Sequence, residues 1–303
     1  MSTTFRAAVV RTPAGPDSIE IVDVPVRRPG PGEVLVSVAA APVNPVDLAV
    51  ADGFFHGLGL IDQPEHTGLG WDYAGTVAEA GPGVHLPVGT PVAGMVTGLD
   101  RDFGTYAEQV VVPVAELAVV PDGLDLVAAS TVPLNALTAD QLLDLLGEPA
   151  GGDRLLVTGA AGAVGGYVAA LAGERGWRVT GLARAEDEAF VRGLGADFVS
   201  RAERGWDAVA DAASLQKAGV SLVRDGGVFV GVQPSVRPEV ERGVRVDVVS
   251  VDHDTPRLQA LLERAAAGAL PARVHEVVPL DRAADVHRTV AKGGVRGRYV
   301  LRP

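Results

Sequence analysis

The chain has 303 residues, 47% hydrophobic and 21% charged, with no cysteine and a formal net charge of -12. This is enough apolar residue for one large core or two modest ones, which favours two domains, and the missing cysteines exclude disulfides and thiolate zinc sites. The acidic balance argues against nucleic acid or an anionic membrane as a general partner, because both select a basic face. The opening MSTTFRAAVV has no basic segment leading into an apolar run and a small-residue cleavage site, and no apolar run approaches about 18 residues. The expectation is a cytoplasmic protein. Only Lys217 and Lys292 are lysines among 26 basic residues, so an arginine at any one basic position carries little information.

From Phe5 to about Val120, short β-branched runs (FRAAVV, SIEIVDV, EVLVSVAAA, AGTVAEA, TPVAGMV, TYAEQVVVP) are broken at short spacing by proline and glycine, an all-β pattern. From about Ala128 helical stretches alternate with apolar strands: AASTVPLNALTADQLLDLLG, RLLVTG, a helix through Arg175, RVTGLA, AEDEAFVRGLG, WDAVADAA, GGVFVGV and VRVDVVSV. That alternation predicts βαβ units and a parallel sheet, hence an α/β protein. After Pro271 come a strand (RVHEVVPL), a helix (RAADVHRTVAKG) and a last strand (GRYVLR).

The segment LLVTGAAGAVGG, residues 155–166, runs a strand into a glycine turn and then a helix. Such a turn lets backbone N–H groups approach a pyrophosphate, and the helix N-terminus favours its charge. Gly159, Gly162 and Gly165 are spaced G-x-x-G-x-x-G, with Ala161 at the usual second glycine. The candidate contacts are Gly159, Ala161, Gly162, Ala163, Val164 and Gly165. The alternative is a strand-to-helix turn packed for its own sake. A second strand, WRVTGL, ends about 20 residues on, as a dinucleotide fold requires. An NAD site wants a carboxylate there to bind the ribose hydroxyls, whereas an NADP site wants a cation. The chain continues ARAED, with Arg184 near that point and the first acid at Glu186. NADPH is the cofactor this favours, with Arg201 after ADFVS as a second phosphate partner; the alternative is a solvated arginine in an arginine-rich chain.

The segments APVNPVDLAV, GLGWDYAGTVAEAGPGV, GTYAEQVVVP, ASTVPLNALTA, LLVTGAAGAVGG, LGADFVS and GGVRGRYVL follow one another over nearly the whole chain. In that order they resemble the zinc-free quinone oxidoreductase branch of the medium-chain dehydrogenase/reductase superfamily. The resemblance implies a GroES-like β domain (1–120 and 272–303) and a Rossmann, doubly wound parallel-sheet domain (121–271) that binds NADPH. The nicotinamide is implied to sit in a cleft joining them. Zinc-dependent relatives carry a cysteine in the VNPVD region and a His-Glu pair after the glycine of GLGWDYAG; here Asn44 and Trp71-Asp72 stand at those points. Neither asparagine nor tryptophan replaces a tetrahedral zinc ligand, so no metal is expected and alcohol dehydrogenation is disfavoured. A quinone or enone delocalises the charge it gains and needs no Lewis acid.

By the same resemblance Asn44 and Thr138 face the nicotinamide or its ribose, and Asp72 and Tyr106 lie close behind. Asn44, Tyr106 and Thr138 are the catalytic candidates. Each has a plainer reading: NP at Asn44 is a turn-forming dipeptide, Asp72 can tie down its own loop, and Tyr106 can be a strand residue with a wet hydroxyl. Ala49 and Phe55 stand where several relatives have tyrosine, which favours a flat, apolar acceptor. His56 and His66, near Glu65, form no close metal-binding pair, and His253 is a weak candidate for touching substrate. The segment 244–254 reads as the last, edge strand of the Rossmann sheet, through which family members pair into a homodimer. The function expected is NADPH-dependent, zinc-independent reduction of a small-molecule quinone or enone. The alternative is a low-turnover NADPH-binding redox sensor or structural protein of the same fold.

Overall fold

A computed structural model describes residues 4–303. Its first eight strands are β1 (Thr4–Val10), β2 (Ile19–Pro25), β3 (Glu33–Pro42), β4 (Thr67–Gly68), β5 (Asp72–Ala80), β6 (Pro91–Met95), β7 (Gln109–Pro113) and β8 (Leu117–Val119). Six more follow: β9 (Arg154–Thr158), β10 (Arg178–Leu182), β11 (Asp197–Val199), β12 (Trp206–Asp211), β13 (Val223–Gly231) and β14 (Arg245–Val248). The last two are β15 (Val274–Pro279) and β16 (Arg298–Arg302). Chain contacts gather into two compact units, one reaching Leu134 and adding His253–Ala267 and Ala272–Pro303, the other made of Asn135–Asp252 and Gly268–Pro271.

In the first unit β3 is central. It pairs antiparallel with β5, β7 and β16, in a seven-stranded sheet ordered β15-β16-β3-β5-β6-β8 with β7 joined to β3 off that path, while β2-β1-β4 form a smaller sheet. β3 can be central because EVLVSVAAAP offers apolar or small residues on both faces, and all but Glu33, Ser37 and Ala39 are buried. The core they enter holds Val34, Val36, Tyr73, Tyr106 and Leu301.

The second unit is a six-stranded parallel sheet ordered β11-β10-β9-β12-β13-β14. Its inner strands β9, β10 and β12 are mostly buried, as a sheet covered on both faces requires. The order reverses between β9 and β12, and in doubly wound sheets the ligand crevice lies beyond the strand ends at that reversal.

Two sequence expectations change. The edge strand read over 244–254 is only four residues long, Arg245–Val248, and His253 groups with the first unit. The apolar character of VRVDVVSV overstated it, because its partner β13 ends at Gly231, which pairs with Val248 and accepts the Val249 N–H, and the helix Thr255–Ala266 begins soon after. The Arg237 guanidinium also covers this edge, donating to the Val246 carbonyl and to Asp247. The second change is that helix itself, which the strand-centred reading passed over. Its buried Leu258, Leu261, Leu262 and Ala265 lie on one face, and Val119 and Ala115 bond to its Gln259 and Thr255. Among the described residues no helix is long and apolar enough to cross a membrane.

Candidate functional site

The parallel sheet brings the predicted dinucleotide residues to one edge. Leu182 of β10 is in register with Thr158 of β9 on one side and Val199 of β11 on the other. The glycine turn, Arg184 and Arg201 therefore all follow strand ends at the same level. Within the turn, Gly159 takes φ +60°, a conformation side chains rarely adopt. A Cβ on Gly165 would lie 2.2 Å from the Gly159 carbonyl oxygen. Gly162 differs: its φ of -78° suits any residue, it is exposed, and an added Cβ would meet only the Gly159 oxygen, at 3.1 Å. Gly162 is the N-cap of the helix Ala163–Ala172 and no side chain caps it. The first N–H groups of any helix lack intrahelical acceptors, so this bare end is a cradle that a Cβ at 162 would intrude on. Gly162, Ala163 and Val164 have surface to offer a pyrophosphate; Ala161 and Gly165 are buried frame.

Arg184 is 61% exposed and its ion pair, to the equally exposed Glu186, is stretched to 4.0 Å. Such a pair holds the guanidinium weakly. Arg201 is exposed as well. Both can turn to a phosphate. Arg184→Ala is therefore expected to remove most of a preference for NADPH over NADH of at least about tenfold, roughly 1.4 kcal/mol, measured by fluorescence titration with each cofactor.

In the first unit, Asn44, Tyr106 and Asp72 meet in one buried cluster. Asn44 N-caps the helix Pro45–Ala51 in a capping box with Asp47, whose Oδ2 accepts the Asn44 backbone N–H at 2.8 Å. The Asn44 Nδ2 donates to Asp72 Oδ2 at 2.7 Å, and Asp72 Oδ1 accepts the Leu134 N–H at 2.7 Å. Tyr106 donates its hydroxyl to Asp47 Oδ2 at 3.1 Å, and the Gly70 N–H reaches Asp47 Oδ1 at the same distance. Burial pushes the Asp47 carboxyl up to about 6 and that of Asp72 up to about 7, against the hydrogen bonds that favour their charged forms. Tyr106 is pushed well above its ordinary value by burial and by the charge of Asp47. Arg101 is the nearby counter-charge for Asp47. It donates to the Val96, Gly98 and Gly70 carbonyls and stacks 5.3 Å from the Trp71 ring centre.

Residues 30–122 match the alcohol dehydrogenase GroES-like domain and residues 184–301 the zinc-binding dehydrogenase family. The chain is 30% identical over 292 residues to an Arabidopsis thaliana NADPH-dependent alkenal/one oxidoreductase, covering 89% of this chain and 72% of that protein. The chain belongs to the quinone oxidoreductase branch of the medium-chain dehydrogenase/reductase superfamily. It is also 28% identical to a 2-haloacrylate reductase of Burkholderia sp, over 98% of this chain and 98% of that one. A quinone oxidoreductase structure from Coxiella burnetii, 23% identical, shares the fold with a TM-score of 0.85 over 99% of both chains.

For this family member the cluster separates the catalytic candidates. Asn44 has 2% of its surface exposed and its amide is committed to Asp72; Tyr106 has none, and its hydroxyl is committed to Asp47. Thr138, 8% exposed, lies on the helix Pro133–Leu146 in the second unit. His253 bonds Thr97 and Glu116 within the first unit. Among the described residues no group of three His, Cys, Asp or Glu could hold a metal ion. Sequence reasoning missed Asp47 and Arg101. The first was legible, since Asn44-Pro-Val-Asp47 has the spacing of a capping box before an apolar helix; Arg101, in the loop after β6, gave no local signal.

Proposed function

We propose that this chain is an NADPH-dependent, zinc-independent oxidoreductase that reduces quinones or α,β-unsaturated carbonyls, working as a cytoplasmic homodimer. The observation that carries the reading is the bare helix end at Gly162, level with two exposed arginines on one sheet edge, in a chain of this family. Gly162, Ala163 and Val164 would hold the pyrophosphate, and Arg184 and Arg201 the 2′-phosphate. When bound, NADPH supplies a hydride to the conjugated acceptor. The chain's own part is to orient and to exclude water. Asp72 and the capping box hold the Asn44 amide in one orientation. Tyr106 acts behind it as a positioning residue through Asp47, and Thr138 is the second candidate for orienting the nicotinamide ribose.

Zinc fits this donor set poorly. Both oxygens of Asp72 and of Asp47 already accept hydrogen bonds, several from backbone N–H groups that cannot swing away. A metal would strip those bonds from a buried site. Pairing of two chains through β14 requires Arg237 to release the Val246 carbonyl.

The test is NADPH oxidation against a panel of quinones and enones, with and without a chelator, beside an NADPH binding titration. Turnover of conjugated acceptors that survives chelation is expected. Binding with no turnover on any acceptor would select the redox-sensor reading, and a rate lost to chelation and restored by zinc would overturn the metal-free one.

A further inference from the structure

Glycines let the loop after β6 lie directly on the chain around Gly70. A Cβ on Gly68 would stand 2.3 Å from backbone atoms of Phe103 and Gly104, and one on Gly104 2.2 Å from the Leu69 carbonyl oxygen. One on Gly70, whose φ is +95°, would stand 2.4 Å from the Tyr106 ring. Only glycine permits such an approach. Backbone bonds zip the two segments together: the Gly68 N–H to the Arg101 carbonyl at 3.0 Å, the Thr105 N–H to that of Gly70 at 3.1 Å and the Tyr106 N–H to that of Leu69 at 3.0 Å. The Arg101 side chain then folds back over the same stretch. Its Nη2 donates to the Gly70 carbonyl at 2.6 Å and its Nη1 to those of Val96 and Gly98 at 2.7 and 2.6 Å, with Trp71 stacked on the guanidinium.

Among the described residues no carboxylate accepts a hydrogen bond from this guanidinium, and its Nε is buried without a partner. A buried charge so placed is poorly compensated. A clip for the loop alone would need hydrogen bonds but no charge. Burial pulls Arg101 down to about 10, and the charge of Asp47 opposes the shift. Asp47 itself is 1% exposed, and Arg101 is the cation whose charge acts on it. As a carboxylate Asp47 accepts from the Asn44 N–H and the Tyr106 hydroxyl on Oδ2 and from the Gly70 N–H on Oδ1. A neutral carboxyl would accept all three more weakly, and its proton would crowd Oδ1, since Oδ2 already takes two donors. The other ionisable groups facing this cluster are Asp72, Arg298 of β16, whose charge acts on Asp72 and Tyr106, and His287, kept neutral by burial with its ring 5.9 Å from that of Tyr106. We propose that Arg101 is a positioning residue of the reaction: seated on Gly70 and Trp71, its guanidinium is the fixed charge that holds the Asp47 carboxylate to Asn44, Tyr106 and Gly70 and so keeps the Asn44 amide aimed. The inference rests on the reading above that Asn44 orients the nicotinamide, and adds to it the group that maintains the frame.

The test compares Arg101→Met, which keeps a long side chain against Trp71 but removes the charge, with Arg101→Lys, which keeps the charge and loses the planar fork. The rate of naphthoquinone reduction by NADPH is followed from pH 5 to 9 on the full chain. In the unmutated protein kcat should fall as pH drops through about 6, where Asp47 takes up its proton. Without the cation Asp47 protonates more readily, so in Arg101→Met this fall should move up by at least about one pH unit, with much of the rate recovered at high pH. In Arg101→Lys it should move by less than about half a unit, whatever the height of the plateau. A second measurement needs neither cofactor nor turnover: NMR of the Asp47 carboxyl carbon and the Asn44 side-chain amide across the same pH range. The carboxyl titration should shift as the rate does, and the Asn44 amide should lose its protection from exchange at pH 6 in Arg101→Met alone. Equal loss of rate at every pH in both variants, with the Asp47 titration unmoved, would overturn the inference and leave Arg101 a structural clip. If the unmutated chain oxidises NADPH with no acceptor, the enzyme reading fails separately, and the two NMR signals still decide whether Arg101 holds the frame.

Discussion

Gly165→Val is expected to destabilise the fold by about 3 kcal/mol or more, while Gly162→Val keeps the fold and binds the cofactor at least about tenfold more weakly. At 165 a Cβ would stand 2.2 Å from the Gly159 carbonyl oxygen and 2.7 Å from its carbon, both backbone atoms of a turn already held at φ +60°. Neither side can give way, so the cost reaches or exceeds the upper end of ordinary overpacking, about 3 kcal/mol, out of a total stability of roughly 5–15 kcal/mol. At 162 the backbone is ordinary and the single neighbour of an added Cβ is 3.1 Å away. The fold loses about 1 kcal/mol there, the difference between a good and a poor N-cap residue. The valine would nonetheless cover the bare helix end, raising the NADPH dissociation constant at least about tenfold, roughly 1.4 kcal/mol. Thermal unfolding and a fluorescence titration on both variants separate the two roles. Unaltered NADPH affinity in folded Gly162→Val would move the phosphate site away from this turn and take the role of Arg184 with it.

Asp72→Asn is expected to change how stability depends on pH more than it changes stability at any one pH. In the folded chain the Asp72 carboxyl titrates at about 7, against 3.8 when exposed to water, because burial disfavours its charge. Its protonated form is the better tolerated one inside, so its contribution is fully present below pH 3.8 and is lost as pH rises toward and through about 7. At 1.36 kcal/mol per pKa unit the loss is of the order of 4 kcal/mol, before any share is assigned to the neighbouring Asp47. Asparagine carries no charge to bury, so this part of the slope should vanish in the variant. At low pH the variant should be the less stable protein. Its new side-chain amide can accept the Leu134 N–H through the oxygen, but it then presents an NH₂ to the Asn44 Nδ2, donor against donor. Denaturant unfolding of both proteins at pH 4.5, 6 and 8 measures this. The destabilisation should shrink by a few kcal/mol toward pH 8; a difference independent of pH would mean that Asp72 is not a buried, protonatable carboxyl. Turnover should fall at every pH, since the Asn44 amide loses the acceptor that orients it.

Residues that act through their neighbours in the chain were legible. The period-two runs and Pro/Gly breaks of the first 120 residues marked strands, and the pattern around 155–166 marked a strand, a glycine turn and a helix, because both are set by local backbone preference. The edge strand was overestimated because β-branched composition cannot report where a chain leaves its neighbour. The helix Thr255–Ala266 was missed although its leucines at 258, 261 and 262 have helical spacing.

Sequence alone determined the fold class, the family and NADPH as the cofactor, since hydrophobic periods, strand-turn-helix order and family segments are written in residues near one another in the chain. Tertiary structure decided which glycine the turn cannot lose, because a Cβ on Gly165 would lie 2.2 Å from the Gly159 carbonyl oxygen and one on Gly162 3.1 Å from it. It also decided what surrounds Asn44. Asp47 is three residues away, but the Gly70–Asp72 segment, Tyr106 and Leu134 come from distant places in the chain and converge on it only when β3, β5 and the helix Pro45–Ala51 pack together. Hydrogen bonds between residues tens of positions apart, and the desolvation that lifts two carboxyls toward neutrality, depend on distance and burial, which no local pattern of residues encodes.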